Sequence, residues 1–346
     1  MRPHYLNSLF APRSIAMFGA SEKKESVGGV VYKNILESKY KGEVYPVNPR
    51  HKTMLGNKCY KAIADIHEDI DLAVVATPAK TLPAIVEACG EKGVRAMVIH
   101  SAGFREAGSA GIRLEERVME IAHSYGIRVL GPNSLGFTRS DHGLNVTFGN
   151  NSIPQGHLAL ISLSGAVCTA VMDWAEDNQI GFSTVVSMGT SGDIDFGDVL
   201  DYLVTDPKTS SILLYIEGLH NSRRFMSGLR AAARIKPVIA IKVGRHHEGA
   251  EASMSHTGAL VGNDDVFSAA LARSGVVRIK SINQLCAGAR TLASRYRGCG
   301  SRIAIVTNGG GPGILAADHL SDDGLILAQL SDCLLYTSPS PRDPRG

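Results

Sequence analysis

The chain has little net charge, no long apolar run and no paired cysteines, and each absence closes off a class of function. Its 36 basic and 33 acidic residues leave a formal net charge of +3 over 346 residues, too weak a field to hold nucleic acid or an anionic membrane surface. The longest apolar runs, such as Leu72-Ala-Val-Val-Ala-Thr77, fall far short of the roughly 18 to 20 residues that a membrane span needs. The N-terminus, Met1-Arg-Pro-His-Tyr-Leu6, lacks the apolar core and small-residue cleavage site of a secretory signal. The expectation is a cytoplasmic, enzyme-like protein with no nucleic-acid and no membrane partner. The six cysteines, Cys59, Cys89, Cys168, Cys286, Cys299 and Cys333, include no C-x-x-C pair, and they read as reduced thiols in a chain large enough to build its core without staples.

With 44% apolar and 20% charged residues, the composition is that of an ordinary globular protein of two or three domains. What is there in excess is glycine: 37 in 346 residues, about 11% against an ordinary usage of roughly 7%. No collagen-like period accompanies it, so the surplus belongs to particular turns and loops.

Short β-branched runs that end in glycine or small polar residues alternate with longer amphipathic stretches, which predicts βαβ units and parallel sheets. A first block has strands at 14–18, 43–47, 71–76, 95–99 and 127–130, with helices around 27–38, 80–92 and 110–125, the last stopped by Gly126. Residues 139–156 break the period and read as a linker. A second block carries strands near 157–162, 182–187, 211–216 and 237–243, with helices near 165–178, 195–204, 221–234, 264–274 and 281–294. A third opens after the polar hinge at 294–300 with a strand at 302–307 and a helix after Gly313, too little to bury a core of its own. The last residues, 333–346, carry no period and are expected to be foreign to the natural chain.

Several strand ends carry chemistry. Gly19-Ala20-Ser21 follows the first strand, and Gly28-Gly29 opens the next helix, the arrangement that presents backbone N–H groups to a phosphate. Ser21 stands where a dinucleotide fingerprint needs its second glycine, and the second strand ends in Val47-Asn-Pro-Arg50 rather than in an acidic residue, which suits a phosphorylated ribose and disfavours an NAD-dependent dehydrogenase. Thr77-Pro78, His100-Ser-Ala-Gly-Phe104 and Gly131-Pro-Asn-Ser134 converge on the same carboxyl edge, where open α/β sheets bind ligands. Ser164, in Ile161-Ser-Leu-Ser-Gly165, is placed to cap a helix whose first turn makes an anion site. Thr307-Asn-Gly-Gly-Gly-Pro-Gly313 repeats that element with more glycine. His256 lies in Ala252-Ser-Met-Ser-His-Thr-Gly-Ala259, within a loop of small residues between a strand and a helix, and imidazole accepts a phosphoryl group near neutral pH. Glu217, closing the apolar strand Ile212-Leu-Leu-Tyr-Ile-Glu217, is a candidate to orient that imidazole. His246, His247, Glu248 and Glu251 have no ordered ligand spacing, so no metal site is expected.

In this order, Gly-Ala-Ser (19–21), Val-Asn-Pro-Arg (47–50), Gly-Pro-Asn-Ser (131–134), Ser-Leu-Ser-Gly (162–165), Tyr-Ile-Glu-Gly (215–218), Ser-His-Thr-Gly-Ala (255–259) and Asn-Gly-Gly-Gly-Pro-Gly (308–313), the sequence resembles the NDP-forming acyl-CoA synthetase superfamily. That family includes ADP-forming acetate–CoA ligase and is related to succinyl-CoA synthetase. The likeness covers about residues 6–332. It implies a Rossmann-like CoA-binding domain (1–138), the linker (139–156), a flavodoxin-like succinyl-CoA-synthetase-type domain (157–297) and the truncated start of another (301–332). It implies CoA contacts at Gly19, Ala20, Ser21, Arg50, Pro78, Ser101, Ala102, Gly103 and Asn133. His256 would be phosphorylated in turnover with Glu217 holding it, and Ser164, Gly165, Asn308, Gly309, Gly310 and Gly311 would form two phosphate cradles.

The implied reaction joins a small carboxylic acid to coenzyme A at the expense of ATP, through an acyl phosphate and a phosphohistidine. ATP or ADP and Mg2+ would be held by an ATP-grasp domain or subunit, which nothing here resembles, and a homo- or hetero-oligomer is compatible with this. Within the family, the segments around Asp198-Val-Leu-Asp-Tyr-Leu203 and Ser222-Arg-Arg-Phe225 are similar to bacterial protein lysine acetyltransferases built on this scaffold. That likeness implies an alternative, a non-catalytic acyl-CoA-sensing region. The retained Ser-His-Thr-Gly favours the ligase.

Overall fold

The computed structural model describes residues 4–149, 153–245, 263–294 and 300–333. The chain forms two compact units, Met1–Ser294 and Arg295–Gly346.

The first unit holds two parallel sheets of the same plan. A short helix α1 (Asn7–Phe10) leads into β1 (Ser14–Phe18), α2 (Val27–Glu37) and β2 (Glu43–Val47), then a small hairpin, β3 (Thr53–Met54) and β4 (Asn57–Lys58). There follow β5 (Leu72–Val75), α3 (Leu82–Glu91), β6 (Ala96–Ile99), α4 (Ser109–Ser124) and β7 (Arg128–Leu130). The five long strands pair in the order β2-β1-β5-β6-β7, all parallel. The central strands are apolar because a parallel sheet is covered on both faces: β1, β5 and β6 are buried throughout, whereas β2, at the edge, is exposed at Glu43. Helix α4 ends as expected, with Gly126 at φ +71°, the left-handed stop that glycine adopts without strain.

The second sheet is built from β8 (Gly136–Arg139), β9 (Leu144–Thr147), β10 (Gln155–Ser162), β11 (Phe182–Ser187), β12 (Ser211–Ile216), β13 (Val238–Lys242) and β14 (Val277–Ile279), in the order β14-β13-β12-β10-β11-β8-β9. Helices α5 (Gly165–Asp177), α6 (Phe196–Thr205), α7 (Ser222–Ala233), α8 (Asp264–Arg273) and α9 (Ile282–Ala293) connect the strands or follow them. Taken in chain order, the five parallel strands of each sheet run 2-1-3-4-5, so each has one switch point, at β1/β5 in the first and β10/β12 in the second. A ligand is expected there in both.

The linker expected over 139–156 is corrected. Residues 136–147 form an antiparallel hairpin, β8 on β9, and β8 adds antiparallel to β11. Its strands are four residues each and its turn, Ser140-Asp-His-Gly143, is polar with Gly143 at φ +59°, so the sequence pattern of a tight hairpin passes for that of a linker. Phe137 and Val146 are fully buried in a core shared with Phe10, Tyr202 and the faces of both sheets, and the Phe10 and Phe137 rings meet edge to face at 5.3 Å. The hairpin therefore joins the two sheets into one body.

A buried carboxylate holds the same junction from the other side. Asp198, on α6 and 0% exposed, accepts from the Tyr5 hydroxyl at 2.8 Å and from Arg128 at 3.2 Å, and it pairs with Arg224 of α7. Asp193 takes the rest of Arg128, at 2.9 Å, and the Val129 N–H at 2.8 Å. Burial alone would raise the Asp198 carboxyl, but the backbone N–H of Asp195, Tyr5 and the two arginines hold it below the usual carboxylate range.

The second unit, over the described residues 300–333, is a β-α-β piece: β15 (Arg302–Ile303), α10 (Gly310–Asp322) and β16 (Ile326–Leu327), the strands parallel. None of its described residues is buried. No helix of the described residues is long and apolar enough to cross a membrane.

Candidate functional site

At the first switch point the backbone itself is the site. Gly19 leaves β1 at φ +81°, and a side chain there would meet the Ala76 carbonyl at 2.7 Å and Thr77 at 3.0 Å. The turn is thus pressed against the end of β5. Helix α2 then docks on the turn: a Cβ at Gly28 would lie 2.0 Å from the Gly19 carbonyl oxygen, and one at Gly29 2.3 Å from that of Lys23. Ser26 caps this helix, its Oγ accepting from the Gly29 N–H at 3.1 Å. Ala20 is fully buried, so it offers backbone only, and the Ser21 Oγ accepts from the Lys23 N–H at 3.1 Å.

The Val-Asn-Pro-Arg motif has a local reason. The Asn48 amide donates to the Ala20 carbonyl at 3.0 Å, and its Oδ1 accepts from the Arg50 N–H at 3.0 Å. One side chain thereby fixes both the phosphate turn and the exposed Arg50. Asn48 was not singled out from sequence, where only the arginine carried an obvious charge. Beside the turn lies a cavity of about 500 Å³ lined by Ser21, Gly29, Lys23, Lys24 and Lys33 and also by Glu22 and Glu37, of which Glu37 pairs with Lys33 at 3.6 Å. The glycine turn, with Lys23 and Lys24 beside it, suits a phosphorylated ligand.

The remaining strand ends of the first sheet are stitched together. The Ser101 hydroxyl donates to the Thr77 carbonyl, next to Pro78, and the Ser101 carbonyl accepts from the Asn133 N–H at 3.0 Å. Ala102 and Gly103 follow, Gly103 at φ +104°. The Gly103 and Phe104 N–H groups both donate to Glu106 Oε1, at 2.6 and 3.2 Å, so this pair of donors is taken by a side chain of the same loop.

The second switch point is built from side chains. Ser164 caps α5, its Oγ accepting from the Val167 N–H at 3.3 Å, while its own N–H donates to Ser162 Oγ at 2.9 Å. Ser164 and Gly165 line a cavity of about 380 Å³ together with Asn133, Phe148, Leu163 and Thr190. Ser162 pairs with Tyr215 between β10 and β12, which puts Ser164 and the buried Glu217, each two residues further on, at the same end of adjacent strands. Asn133, at φ +54°, belongs to this cavity as well as to the carboxyl edge of the first sheet. The loop after β11, at 188–192, closes against it: the Thr190 N–H donates to the Pro132 carbonyl at 2.9 Å, and a Cβ at Gly189 would meet that oxygen at 2.1 Å. Gly189 and Thr190 are not among the residues the sequence points to, although a strand ending in Ser-Met-Gly-Thr-Ser-Gly carries the same signal as the other strand ends.

His256 lies outside the described residues. On either side of that segment, Lys242 ends β13 and Asp264 opens α8, and the two are 3.7 Å apart. Arg278 holds Asp264 at 2.6 Å, and the Lys242 ammonium, 3% exposed, donates to the Gly244 carbonyl at 3.2 Å. Burial lowers the pKa of Lys242. In the second unit, Asn308 precedes the Gly309 cap of α10, the Gly309 N–H donates to Thr307 Oγ1 at 3.1 Å, and a Cβ at Gly310 or Gly311 would meet nothing within 4 Å.

Residues 13–140 match a family described as "CoA binding domain", and residues 155–292 one described as "Succinyl-CoA ligase like flavodoxin domain". The alpha subunit of the ADP-forming acetate–CoA ligase I of Pyrococcus furiosus is 42% identical over 93% of this chain and 71% of its own length. The ADP-forming acetate–CoA ligase I of Archaeoglobus fulgidus is 41% identical over 94% of this chain, which spans 47% of that protein. The dinucleotide-forming acetyl-coenzyme A synthetase 1 of Candidatus Korarchaeum cryptofilum, solved with phosphate and ADP, superposes with a TM-score of 0.91 at 36% identity, over 96% of this chain and 71% of its own. Sequence, domain order and fold agree, and the chain belongs to the NDP-forming acyl-CoA synthetases, of which it carries the CoA-binding and succinyl-CoA-ligase-like domains.

Proposed function

We propose that this chain is the acyl-transfer half of an ADP-forming acyl-CoA ligase, acting on a small carboxylic acid and its CoA thioester. The observation that carries the reading is the shared loop at 131–134: Asn133 is bonded to the CoA edge through Ser101 and lines the cavity at the Ser164 helix start. A thioester carried from the first cradle would meet an anion held at the second.

In the acyl-CoA to ATP direction, an oxygen of inorganic phosphate attacks the thioester carbonyl. The C–S bond breaks, CoA leaves as the thiol with a proton from phosphate, and an acyl phosphate remains. The first-turn N–H groups of α5 at Gly165 and Ala166 stabilise the charge on the phosphate. His256 Nε2 then attacks phosphorus, the P–O bond to the acyl group breaks, and the carboxylate departs. Glu217 is assigned the Nδ1–H, which fixes the tautomer with Nε2 as nucleophile. ADP takes the phosphoryl group on an ATP-grasp domain or subunit with Mg2+, where the Asn308 to Gly311 cradle serves as a second phosphate site. Coenzyme A contacts are assigned to Gly19, Ala20, Ser21, Arg50, Pro78, Ser101, Ala102 and Asn133, in the cytoplasm. Gly103 is assigned a turn role, since Glu106 holds its N–H.

The acetyltransferase alternative draws no support from the relatives named above, which are ligases. The segments that suggested it are α6 and α7, where Asp198 and Arg224 serve the junction between the sheets.

With the ATP-grasp partner supplied, ATP labelled at its γ-phosphate is expected to mark the chain in an acid-labile, base-stable form, and His256→Ala to abolish the mark. Label persisting in that variant overturns the assignment.

A further inference from the structure

The ring of His100 has no part in the reaction above, yet it is placed where the two cradles meet. It follows β6 directly, and its backbone N–H continues the sheet ladder to the Val75 carbonyl at 2.9 Å. The side chain is buried at 5% exposure. Its Nδ1 lies 2.9 Å from the Ser134 carbonyl oxygen. A carbonyl only accepts, so Nδ1 carries the proton and Nε2 is a bare lone pair. That Nε2 is buried and has no hydrogen-bond partner among the described residues.

The Nδ1–H bond goes to the segment joining the two sheets. Residues 131–136 leave β7 and enter β8, and they are gripped from the second sheet by Ser134 Oγ donating to the Ser187 carbonyl and by Thr190 on Pro132. From the first sheet they are held by the Ser101 carbonyl and by the His100 ring. The ring also lies flush on the segment, since a Cβ at Gly136 would come within 2.8 Å of His100 Cε1. On its other side it meets the ring of Phe148 edge to face, centroids 5.8 Å apart. Asn133, one residue from the hydrogen-bonded carbonyl, and Phe148 both line the cavity at the Ser164 helix start. Two walls of that cavity therefore rest on one imidazole.

Resting on the ligase reading, we propose that His100 is a positioning residue for acyl transfer: its Nδ1–H sets the 131–136 segment, and with Phe148 it fixes the cavity in which the thioester meets phosphate. It touches no reacting atom. Burial pushes its pKa down to about 4, against the opposing pull of the Ser134 bond, so the neutral Nδ1–H form persists throughout the neutral range.

The test uses the acyl-transfer half reaction with the ATP-grasp partner supplied; it needs neither nucleotide nor phosphoryl transfer to His256. Arsenate replaces phosphate: its oxygen attacks the thioester carbonyl of acetyl-CoA, the CoA thiol is released, and water hydrolyses the acyl arsenate. His100→Phe keeps the ring and loses the N–H; His100→Asn restores an amide N–H near the Nδ1 position. His100→Phe is expected to lower kcat for thiol release about 10- to 100-fold, the scale of a small misplacement of reacting groups. The Kd for CoA by calorimetry should stay within about twofold and the KM for acetyl-CoA change little, the split expected when an interaction acts only in the transition state. His100→Asn should recover most of the rate. The proposal is overturned by a His100→Phe protein of wild-type kcat, or by both variants losing CoA affinity and thermal stability together. A wild-type chain that releases no thiol from acetyl-CoA, butyryl-CoA or an aryl-CoA overturns the ligase reading itself, and this inference with it.

Discussion

The two switch points occupy the same place in two sheets of the same strand order, and they are made of different things. At β1/β5 the cradle is backbone against backbone, with Gly19 and Gly28 so close that neither tolerates a Cβ. At β10/β12 it is a capping serine in the wall of an open cavity, with a buried carboxylate at the end of the adjacent strand, and a Cβ at Gly165 would come nearest the Leu135 Cβ, at 3.1 Å, with the Ser187 Oγ at 3.6 Å. The first must seat a helix on a turn so that N–H groups reach a phosphate. The second must leave room for chemistry. A glycine therefore means packing in one cradle and access in the other.

The largest effect should separate these meanings. Gly28→Ala puts a methyl 2.0 Å from a backbone carbonyl, which only a shift of α2 relieves, and is expected to cost about 3 to 4 kcal/mol in urea unfolding. Gly165→Ala has only a tight side-chain contact to absorb, offset by the better helix propensity of alanine, and should change stability by less than about 1 kcal/mol. It should nevertheless slow arsenolysis, because the added methyl sits at the helix start that faces the cavity. Equal costs for the two would break the comparison.

Next in size is the clamp that makes the comparison matter, since the cradles cooperate only if the sheets are held together. Asp198→Asn leaves Arg128 and Arg224 short of a carboxylate at a fully buried position. The cost is expected at about 2 to 3 kcal/mol, below the usual range for a broken buried pair because Arg224 remains 44% exposed. The Asp198 carboxyl is held below its ordinary range when folded. Its contribution is therefore complete above the unfolded value, near 3.9, and is lost as pH falls through the lower folded value. Wild-type stability should show an acid-side slope that the variant lacks; matching profiles would show that the charge does not carry the clamp.

Much of this was legible in the sequence, and for physical reasons. The central parallel strands are buried on both faces and so appear as unbroken β-branched runs, and Ser164 and Gly126 announce a helix start and a helix stop through their side-chain and backbone chemistry. Gly28-Gly29 was read as opening a helix, and the close approach to Gly19 explains why nothing larger stands there. The hairpin at 136–147 was not legible because its four-residue strands and polar turn give no period longer than the noise, and its burial comes from Phe10 and Tyr202, far off in the chain. The three-residue β14 was lost for the same reason. In the sequence His100 stands only as the residue before Ser-Ala-Gly; its bond to Ser134 crosses from one strand end to another, and no local pattern encodes that.

The smallest expected effect tests the glycines of the second unit. At Gly310 and Gly311 a Cβ meets nothing within 4 Å, and neither has a positive φ, so the packing of that unit does not require glycine at either place. Gly310 is the first residue of α10, and alanine there should leave the unit as stable or raise it by up to about 1 kcal/mol. If glycine is kept for access, as at Gly165, then Gly310→Ala should still reduce the γ-phosphate labelling of the chain in the presence of its ATP-grasp partner. Hydrogen exchange of the α10 amides measures the first quantity and the labelling assay the second. Loss of protection in α10 would place Gly310 with Gly28, among glycines that packing demands, whereas protection retained with labelling reduced would place it with Gly165.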